Sequence, residues 1–308
     1  GELMRAQRAG FAPSEIIFGG VGKTRAEIRA GLQAGVKLLN LESAAELAIV
    51  EEEARGMGVR AGIALRVNPE VHVANAHEYI ATGSRGHKFG IPWGDVPDIA
   101  ARAIASKHVE LLGLDMHVGS QLMSLDPYRD GVERLAELAR TLQARGAPLR
   151  YLDAGGGLPA RYGAEDAPDL ELFASIIVPV AAALGLELIV EPGRFVMAEA
   201  GVLLTRVLYR KATGGTDFVI CDAGMSELLR PSHYDAYHAI EAVQPRGGTA
   251  TVDVVGPICE TGDFLARDRL MDDVLPGDLL AVHTTGAYGY AMALTYNSRP
   301  RAPEVLVD

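Results

Sequence analysis

The sequence predicts an α/β domain with a parallel sheet, followed by a smaller and mostly antiparallel β domain. Over the first two-thirds of the 308 residues, short apolar runs alternate with helical patterns, as in strands joined by helical crossovers. After about residue 200, β-branched or apolar runs follow one another with glycine-rich turns between them. We therefore divide the chain into domains of residues 1–198 and 199–308.

The chain begins with a helical pattern and then a strand–turn–helix segment. Residues 1–10 predict a helix with Gly10 as its stop, and residues 16–20 predict a strand. The next segment, GGVGKT, is similar to a nucleotide-binding P-loop, but that motif needs glycine five positions before the Gly-Lys pair, where Ile17 stands. We therefore expect a turn with Thr24 as the N-cap of a helix that ends at Gly35.

Further elements continue the alternation as far as residue 190. We expect strands at residues 37–41, 62–67, 111–117, 151–154 and 187–190, and helices at residues 43–57 and 127–145. These make about six strand–helix units, whereas a closed (β/α)₈ barrel has eight. A barrel that lacks roughly 60 residues before Gly1 and an open, doubly wound sheet of six strands are both compatible with this pattern.

The second domain is predicted from β-rich segments. Strands are expected at residues 202–210, 217–221, 249–255 and 279–282, with glycine-containing turns between them. A helical pattern in this region appears only at residues 288–294. The chain starts without methionine and stops abruptly at Asp308, so we expect it to be a fragment of a longer protein.

The composition argues against several classes of protein. Lysine and arginine number 29 against 40 aspartates and glutamates, and this net charge of −11 disfavours binding to nucleic acid. No run of about 18 apolar residues is present, which argues against a membrane span. Cys221 and Cys259 are too few for a disulfide framework or a cysteine-rich zinc site, and a reduced, cytoplasmic setting is expected.

Three consecutive glycines follow the strand expected at residues 151–154. Gly155, Gly156 and Gly157 let the backbone approach an anion and point N–H groups at it, so we favour a phosphate cradle over a merely tight turn. With Ala160 they also match G-x-G-x-x-A, a weak dinucleotide-binding fingerprint that normally occupies the first βα unit. A dinucleotide-dependent enzyme on an open sheet therefore remains an alternative.

Two other strand ends carry polar side chains that suit a bound aromatic ring. After one strand, the imidazole of His117 can stack on a flat ring and the hydroxyl of Ser120 can bond a phosphate. A lone histidine can also be structural or a metal ligand, but no second ligand stands at metal spacing, and no metal is predicted. Glu191 ends the last strand, three residues before Arg194. The two can form a surface ion pair, but a carboxylate at a strand end is better explained as the partner of a protonated heteroaromatic nitrogen.

The second domain contributes further candidate residues. The thiol of Cys259, beside Glu260, can be a proton donor or a small buried apolar group. Arg230, Tyr234 and Tyr288 stand in segments that we expect to be loops. Arginine binds carboxylates in a bidentate fork and tyrosine hydroxyls bond phosphates or carboxylates, but each of these side chains can equally be solvent-exposed.

Taken together, these segments resemble the diaminopimelate decarboxylase family, which comprises pyridoxal 5′-phosphate (PLP) enzymes of fold type III. VEPGR and GGG are shared with arginine and ornithine decarboxylases, whereas RPSHYDAYH and CETGDFLA are more specific. The matching stretches span essentially the whole chain in order: GELMRAQRAGF, IIFGGVGKTRAEI, LLNLESAAEL, ALRVNP, HKFGIP, MHVGSQL, LDAGGGLPARY, VEPGRFVMAEAGVLLTRV, CDAGMSELLRPSHYDAYH, GPICETGDFLA and TTGAYGYAMALTYNSRPRAPEVLVD.

The resemblance implies a fold and a reaction. The fold is a (β/α)₈ TIM-type barrel, N-terminally incomplete here, followed by a mostly antiparallel β domain that is also expected to be truncated. The reaction is PLP-dependent decarboxylation of meso-2,6-diaminopimelate to L-lysine and CO₂, the last step of lysine biosynthesis. Decarboxylation of another basic amino acid (ornithine, arginine or lysine), or a non-catalytic PLP-binding role, remains an alternative.

The resemblance also implies roles for individual residues. Glu191 would pair with the ring nitrogen of the cofactor, His117 would stack on the ring, and Cys259 would protonate the substrate carbon after CO₂ leaves. The phosphate would be bound by Ser120, Gly155, Gly156 and Gly157, with cofactor contacts also from Pro192, Gly193, Arg194 and Tyr288. The distal amino-carboxylate end of the substrate would be bound by Arg194, Arg230, Tyr234, Glu260 and Tyr288. Cys259 and Glu260 would reach the neighbouring subunit's site, which implies a homodimer.

One expected element of the family is not found in this chain. The family's Schiff-base lysine lies on the first barrel strand, in an A-x-K-A-N-type motif. The lysines present are Lys23, Lys37, Lys88, Lys107 and Lys211, and none stands in that setting. We expect the lysine in the segment before Gly1, and the chain as given to be inactive.

Overall fold

The structure, a computed structural model, describes residues 1–71, 86–164, 166 and 169–307, which form two compact units. The first unit comprises Gly1–Leu158 and Asp169–Pro192, and the second comprises Pro159–Pro168 and Gly193–Asp308. Among the described residues, no helix is both long and apolar enough to cross a membrane.

The first unit contains a six-stranded parallel sheet. Its strands are Ile17–Phe18 (β1), Leu38–Leu41 (β2), Ala61–Arg66 (β3), Val109–Asp115 (β4), Tyr151–Asp153 (β5) and Glu187–Ile189 (β6). They pair in chain order, β1-β2-β3-β4-β5-β6, and every pair is parallel. A doubly wound sheet reverses its strand order at a switch point, whereas a barrel does not. The order therefore confirms the barrel-type architecture, and the open-sheet alternative is wrong.

Helices connect these strands. They are Glu2–Arg8 (α1), Arg25–Ala34 (α2), Ala44–Met57 (α3), Val96–Ala105 (α4), Asp126–Ala144 (α5) and Leu170–Leu184 (α6). The start of α2 is a capping box: Thr24 Oγ1 accepts from the Glu27 amide at 3.2 Å, and Glu27 accepts from the Thr24 amide at 2.9 Å. The helix ends at Gly35, whose φ is +76°. The GGVGKT segment is therefore a capped turn, as the sequence predicts.

The core of this unit lies between the sheet and its helices. All four residues of β2 are buried. On α5 the apolar positions at helical spacing are buried as predicted: Val132, Leu135, Leu138, Ala139 and Leu142. Helices α4 and α6 were not located from the sequence. The sequence did not predict α6 because its residues are apolar on nearly all sides and include Pro179, so its amphipathic pattern is weak.

The second unit contains a six-stranded sheet. Its strands are Leu203–Thr213 (β7), Thr216–Cys221 (β8), Ile240–Ala242 (β9), Thr249–Val255 (β10), Phe264–Asp272 (β11) and Leu279–Val282 (β12). The order is β11-β10-β8-β7-β12-β9, with β8 and β10 parallel and the other pairs antiparallel. This confirms a mostly antiparallel β unit. Two short helices, Gly193–Met197 (α7) and Arg230–Tyr234 (α8), accompany the sheet.

Two local predictions for this unit are wrong. The helix expected at residues 288–294 is only a 3₁₀ turn, Tyr290–Met292. Tyr288, the first residue of the expected helix, has a φ of +62°, which lies outside the right-handed helical region. The segment that begins at Arg230 was expected to be a loop but forms α8, because Pro231 is well suited to the first turn of a helix.

Candidate active site

The first unit brings together the polar residues that follow β4, β5 and β6. The strands are parallel, so their carboxyl ends lie at one edge of the sheet. The Gly156 amide donates to His117 Nδ1 at 3.1 Å, which joins the turn after β5 to the loop after β4. The Glu191 amide donates to the Gly155 carbonyl at 2.8 Å, which joins the same turn to the residues after β6. His117, the glycine turn and Glu191 are therefore contiguous.

The glycine turn is sterically restricted to glycine. A Cβ at Gly156 would stand 2.3 Å from the carbonyl oxygen of Glu191. At Gly155, where φ is +67°, a Cβ would stand 2.2 Å from the carbonyl oxygen of Met116. At Gly157, where φ is +108°, it would stand 2.9 Å from the Gly119 carbonyl oxygen. The turn thus packs directly against the backbone of both neighbouring loops, including the loop that carries Ser120.

Two of the three glycine amides already have acceptors within the unit. The Gly155 amide donates to Asp153 Oδ1 at 3.0 Å, and the Gly156 amide donates to His117 Nδ1. The Gly157 amide donates to no acceptor among the residues that the structure describes. A phosphate bound at this turn would therefore find one available amide, at Gly157, rather than the three that the glycine pattern suggests.

His117 is held as a neutral imidazole. Its Nδ1 accepts a hydrogen bond, so the ring proton lies on Nε2. Burial, together with the positive charge of Arg66, lowers the pKa of His117 to about 4. At neutral pH the ring is uncharged, half-buried and fixed by the glycine turn, and such a ring can stack on a planar aromatic ligand.

Two buried aspartates accompany Glu191, and sequence reasoning missed both. Asp115 is the last residue of β4, and Asp153 is the last residue of β5. Asp115 Oδ2 accepts from Asn40 Nδ2 at 2.9 Å, whereas its Oδ1 has no partner among the described residues. The sequence did contain a signal for both aspartates, because each one ends an apolar strand. Asp115 stands two residues before His117, and Asp153 stands two residues before Gly155.

Burial and mutual repulsion shift the pKa values of these carboxyl groups. Burial, followed by the charges of Asp153 and Glu191, raises the pKa of Asp115 well above its usual range. Burial and the charge of Glu191 raise the pKa of Asp153 to about 7. Burial also raises the pKa of Glu191, against the opposing charge of Arg66. The cluster therefore holds protons at neutral pH in the absence of a further cation.

Arg66 is already engaged by another carboxylate. Its Nη1 lies 2.8 Å from Glu42 Oε1, and the side chain of Glu42 is buried. The guanidinium therefore compensates the negative charge near Glu191 only in part. A protonated ring nitrogen fits this site, because it would supply the positive charge that the buried carboxyl groups need.

Lys23 has a structural role at the same edge of the sheet. Its side chain is 2% exposed, and Nζ lies 2.7 Å from Glu46 Oε1, the Gly20 carbonyl and the Asn40 carbonyl. The ammonium group donates to the two carbonyls and forms an ion pair with Glu46. The lysine of the GGVGKT segment thus ties β2 to the start of α3.

In the second unit, two buried arginines lie among aromatic rings. Arg194 on α7 donates to the Tyr162 hydroxyl at 2.8 Å, and its guanidinium carbon lies 4.8 Å from the Tyr288 ring centroid. The guanidinium carbon of Arg230 lies 4.2 Å from the Tyr162 ring centroid, and Arg230 Nη1 lies 2.9 Å from His238 Nε2. The structure thus brings together Arg194, Arg230 and Tyr288. Sequence reasoning missed Tyr162 and did not single out His238, although the histidine belongs to RPSHYDAYH.

Arg230 has no carboxylate partner among the residues that the structure describes. No ion pair within the described residues includes it, and burial lowers the pKa of its guanidinium group. After burial, the groups that shift this pKa most are Tyr162, Arg194, Tyr234 and Tyr288. A buried guanidinium group without a carboxylate partner among the described residues is suited to a carboxylate ligand.

The two cysteines have different surroundings. Cys221 is buried, and burial raises its pKa to about 12, so it behaves as an apolar core residue. Cys259 is exposed in the segment between β10 and β11, and its Sγ lies 3.5 Å from Asn297 Nδ2. The neighbouring Glu260 accepts a hydrogen bond from the Tyr296 hydroxyl. Within the described part of this unit, neither residue forms a hydrogen bond or ion pair with the arginine cluster.

The raised pKa of Asp153 predicts a pH-dependent stability. Between its usual pKa and about 7, the folded state binds a proton that the unfolded state has lost, so stability falls as pH rises. One such proton contributes up to about 1.4 kcal/mol per pH unit to the slope. Asp153→Asn removes this contribution. Urea unfolding of the cofactor-free protein between pH 4.5 and 7 is therefore expected to give a free energy of unfolding that falls less steeply with pH in the variant than in the wild type.

The control for this prediction is Asp98→Asn at an exposed position of α4, which tests the effect of the amide substitution itself. Identical slopes for the wild type and Asp153→Asn would contradict the raised pKa.

The family model of the pyridoxal-dependent decarboxylases, pyridoxal binding domain, matches residues 1–198. Over the whole chain, the sequence is 47% identical to diaminopimelate decarboxylase from Pseudomonas aeruginosa, of which it covers 74%. It is 43% identical to the Aquifex aeolicus enzyme, of which it also covers 74%.

Solved structures agree with the sequence comparisons. The crystal structure of diaminopimelate decarboxylase from Helicobacter pylori complexed with L-lysine superposes with a TM-score of 0.94 at 40% identity, over 97% of this chain and 75% of that chain. The chain belongs to the diaminopimelate decarboxylase family of pyridoxal-dependent decarboxylases.

Proposed function

We propose that this chain is the greater part of an enzyme that decarboxylates meso-2,6-diaminopimelate to L-lysine and CO₂, with PLP as cofactor. The single observation that carries the choice of substrate is Arg230, a buried guanidinium group without a carboxylate partner among the described residues. Diaminopimelate keeps a second carboxylate away from the reacting carbon. Ornithine, arginine and lysine carry a cation at that end, which a buried guanidinium group would repel.

The residues of the first unit are proposed to bind the cofactor. PLP supplies an electron sink for the bond to CO₂ when it is bound. Glu191 accepts the N–H of the pyridine ring, and the neutral imidazole of His117 stacks on the ring face. The Ser120 hydroxyl and the Gly157 amide bind the phosphate, while Gly155 and Gly156 shape the turn. Pro192 and the start of α7 at Gly193 are further proposed cofactor contacts.

The residues of the second unit are proposed to bind the substrate and to move a proton. Arg230 binds the distal carboxylate, and Tyr234 and Glu260 bind the distal amino-carboxylate end. Arg194 and Tyr288 contact both the cofactor phosphate and the substrate. Cys259 donates the proton of its thiol to the carbon from which CO₂ has left. The Schiff-base lysine, expected in a segment before Gly1, belongs to the same proposal.

We further propose that the enzyme is a homodimer in the cytoplasm. Cys259 and Glu260 are exposed and have no polar contact with Arg194, Arg230 or Tyr288 within the described residues. This placement supports a contribution to the neighbouring subunit's site. Both cysteines are unpaired thiols, as expected for a reduced compartment.

The choice of substrate is tested by CO₂ release from the complete enzyme with meso-diaminopimelate, ornithine, arginine and lysine. We expect turnover with diaminopimelate, and Arg230→Met is expected to lower kcat/KM for it by about 10- to 100-fold, as for a lost charge-assisted hydrogen bond of about 1.5–3 kcal/mol. Turnover with ornithine or arginine but not with diaminopimelate would refute the proposal.

The proton-donor role is tested by Cys259→Ala. Because the thiol supplies the proton, the variant is expected to lose about 10²- to 10⁴-fold in kcat, the usual contribution of a general acid, with the absorbance of bound PLP unchanged. Cys221→Ala, at the buried cysteine, is the matched control and should keep kcat within a few-fold. Unchanged turnover in Cys259→Ala would show that the proton comes from another group.

A further inference from the structure

His238 contacts Arg230 inside the second unit. His238 is fully buried and Arg230 is 7% exposed. One ring nitrogen, Nε2, lies 2.9 Å from Arg230 Nη1, and the other, Nδ1, lies 2.8 Å from the carbonyl oxygen of His283. Both ring nitrogens are therefore engaged, and their partners have opposite hydrogen-bonding character.

These partners fix the tautomer of His238. A carbonyl oxygen can only accept, so Nδ1 carries the ring proton and donates it to His283. Guanidinium nitrogens can only donate, so Nε2 presents its lone pair to Arg230. Burial lowers the pKa of His238 to about 4, which agrees with a neutral ring at neutral pH.

A neutral acceptor leaves the charge of Arg230 uncompensated. A carboxylate in the place of His238 would fix the guanidinium group equally well, but it would also neutralise the group. Tyr162 supports the same arrangement. The guanidinium carbon of Arg230 lies 4.2 Å from the centroid of the Tyr162 ring. The Tyr162 ring also packs edge to face against the imidazole of His238, with 5.2 Å between the two ring centroids. The guanidinium plane is thus fixed from two sides by uncharged groups.

We infer that His238 is a positioning residue for substrate recognition: its neutral imidazole orients the guanidinium group of Arg230 toward the distal carboxylate of the substrate while leaving its charge free for that carboxylate. This inference rests on the proposed function, in which Arg230 binds that carboxylate. A purely structural histidine would stabilise the fold without affecting which ligands bind.

Two product-like ligands isolate the recognition of the carboxylate. L-lysine retains the distal carboxylate of diaminopimelate, whereas cadaverine is the same diamine without it. The ratio of their inhibition constants against diaminopimelate therefore measures what the carboxylate contributes to binding. A general loss of stability or of cofactor would change both constants alike.

Two variants of the complete enzyme separate the roles of the ring nitrogens. His238→Asn keeps an amide that can donate to His283 but removes the acceptor for Arg230, whereas His238→Gln can place an oxygen near the position of Nε2. We expect His238→Asn to reduce the preference for L-lysine over cadaverine at least tenfold, and His238→Gln to retain it within about threefold, which is within 0.7 kcal/mol.

Arg230→Met distinguishes the two possible failures. If Arg230→Met abolishes the preference but His238→Asn leaves it unchanged, the role of His238 is wrong and the proposed function stands. If Arg230→Met also leaves the preference unchanged, the proposed binding of the distal carboxylate by Arg230 is wrong as well.

A measurement on the unaltered protein covers the case in which the variants do not fold. The ¹⁵N chemical shifts of histidine distinguish a protonated ring nitrogen from one that bears a lone pair. We expect protonated Nδ1 and unprotonated Nε2 for His238 at pH 7. A proton on Nε2 would overturn the inference.

Discussion

The first unit is organised around three carboxyl groups at the ends of neighbouring strands, two of which are buried. Asp115 and Asp153 are buried, Glu191 adds a third carboxylate beside them, and the nearby Arg66 is already paired with Glu42. Burying this much negative charge is unfavourable unless protons or a cation compensate it. The charge imbalance raises the carboxyl pKa values of the cofactor-free protein, and it also favours a ligand that carries a positive charge where Glu191 can meet it.

The second unit shows the opposite imbalance. Arg230 is buried without a carboxylate partner among the described residues, and its nearest polar contact is the neutral imidazole of His238. Each unit therefore keeps a buried charge that its own described residues do not neutralise. Such groups reduce stability, and proteins retain them at functional positions because a ligand of opposite charge compensates them on binding.

Local signals in the sequence were sufficient for most of the fold. The capping box of Thr24 and Glu27 and the left-handed Gly35 fixed the limits of α2, because they act within a few residues of one another. Strand β11 was missed because Arg267, Asp268 and Arg269 conceal its apolar alternation. In the site, glycines and strand-end residues were visible. The Gly156 amide that donates to His117, and the contacts of Tyr162 with Arg230 and of His238 with His283, depend on residues distant in the chain.

The protonation state of the ring nitrogen in bound pyridoxine 5′-phosphate tests the central claim most directly, because this analogue binds without a Schiff-base lysine. Its absorbance is to be followed with pH in the wild type, in Glu191→Gln, and in Glu187→Gln at the other end of β6 as control. At an alkaline pH at which the free compound has lost the proton of its ring nitrogen, the account predicts that this nitrogen stays protonated in the wild type and in the control. In Glu191→Gln the bound ring is predicted to lose the proton. The same pH dependence in the wild type and Glu191→Gln would contradict it.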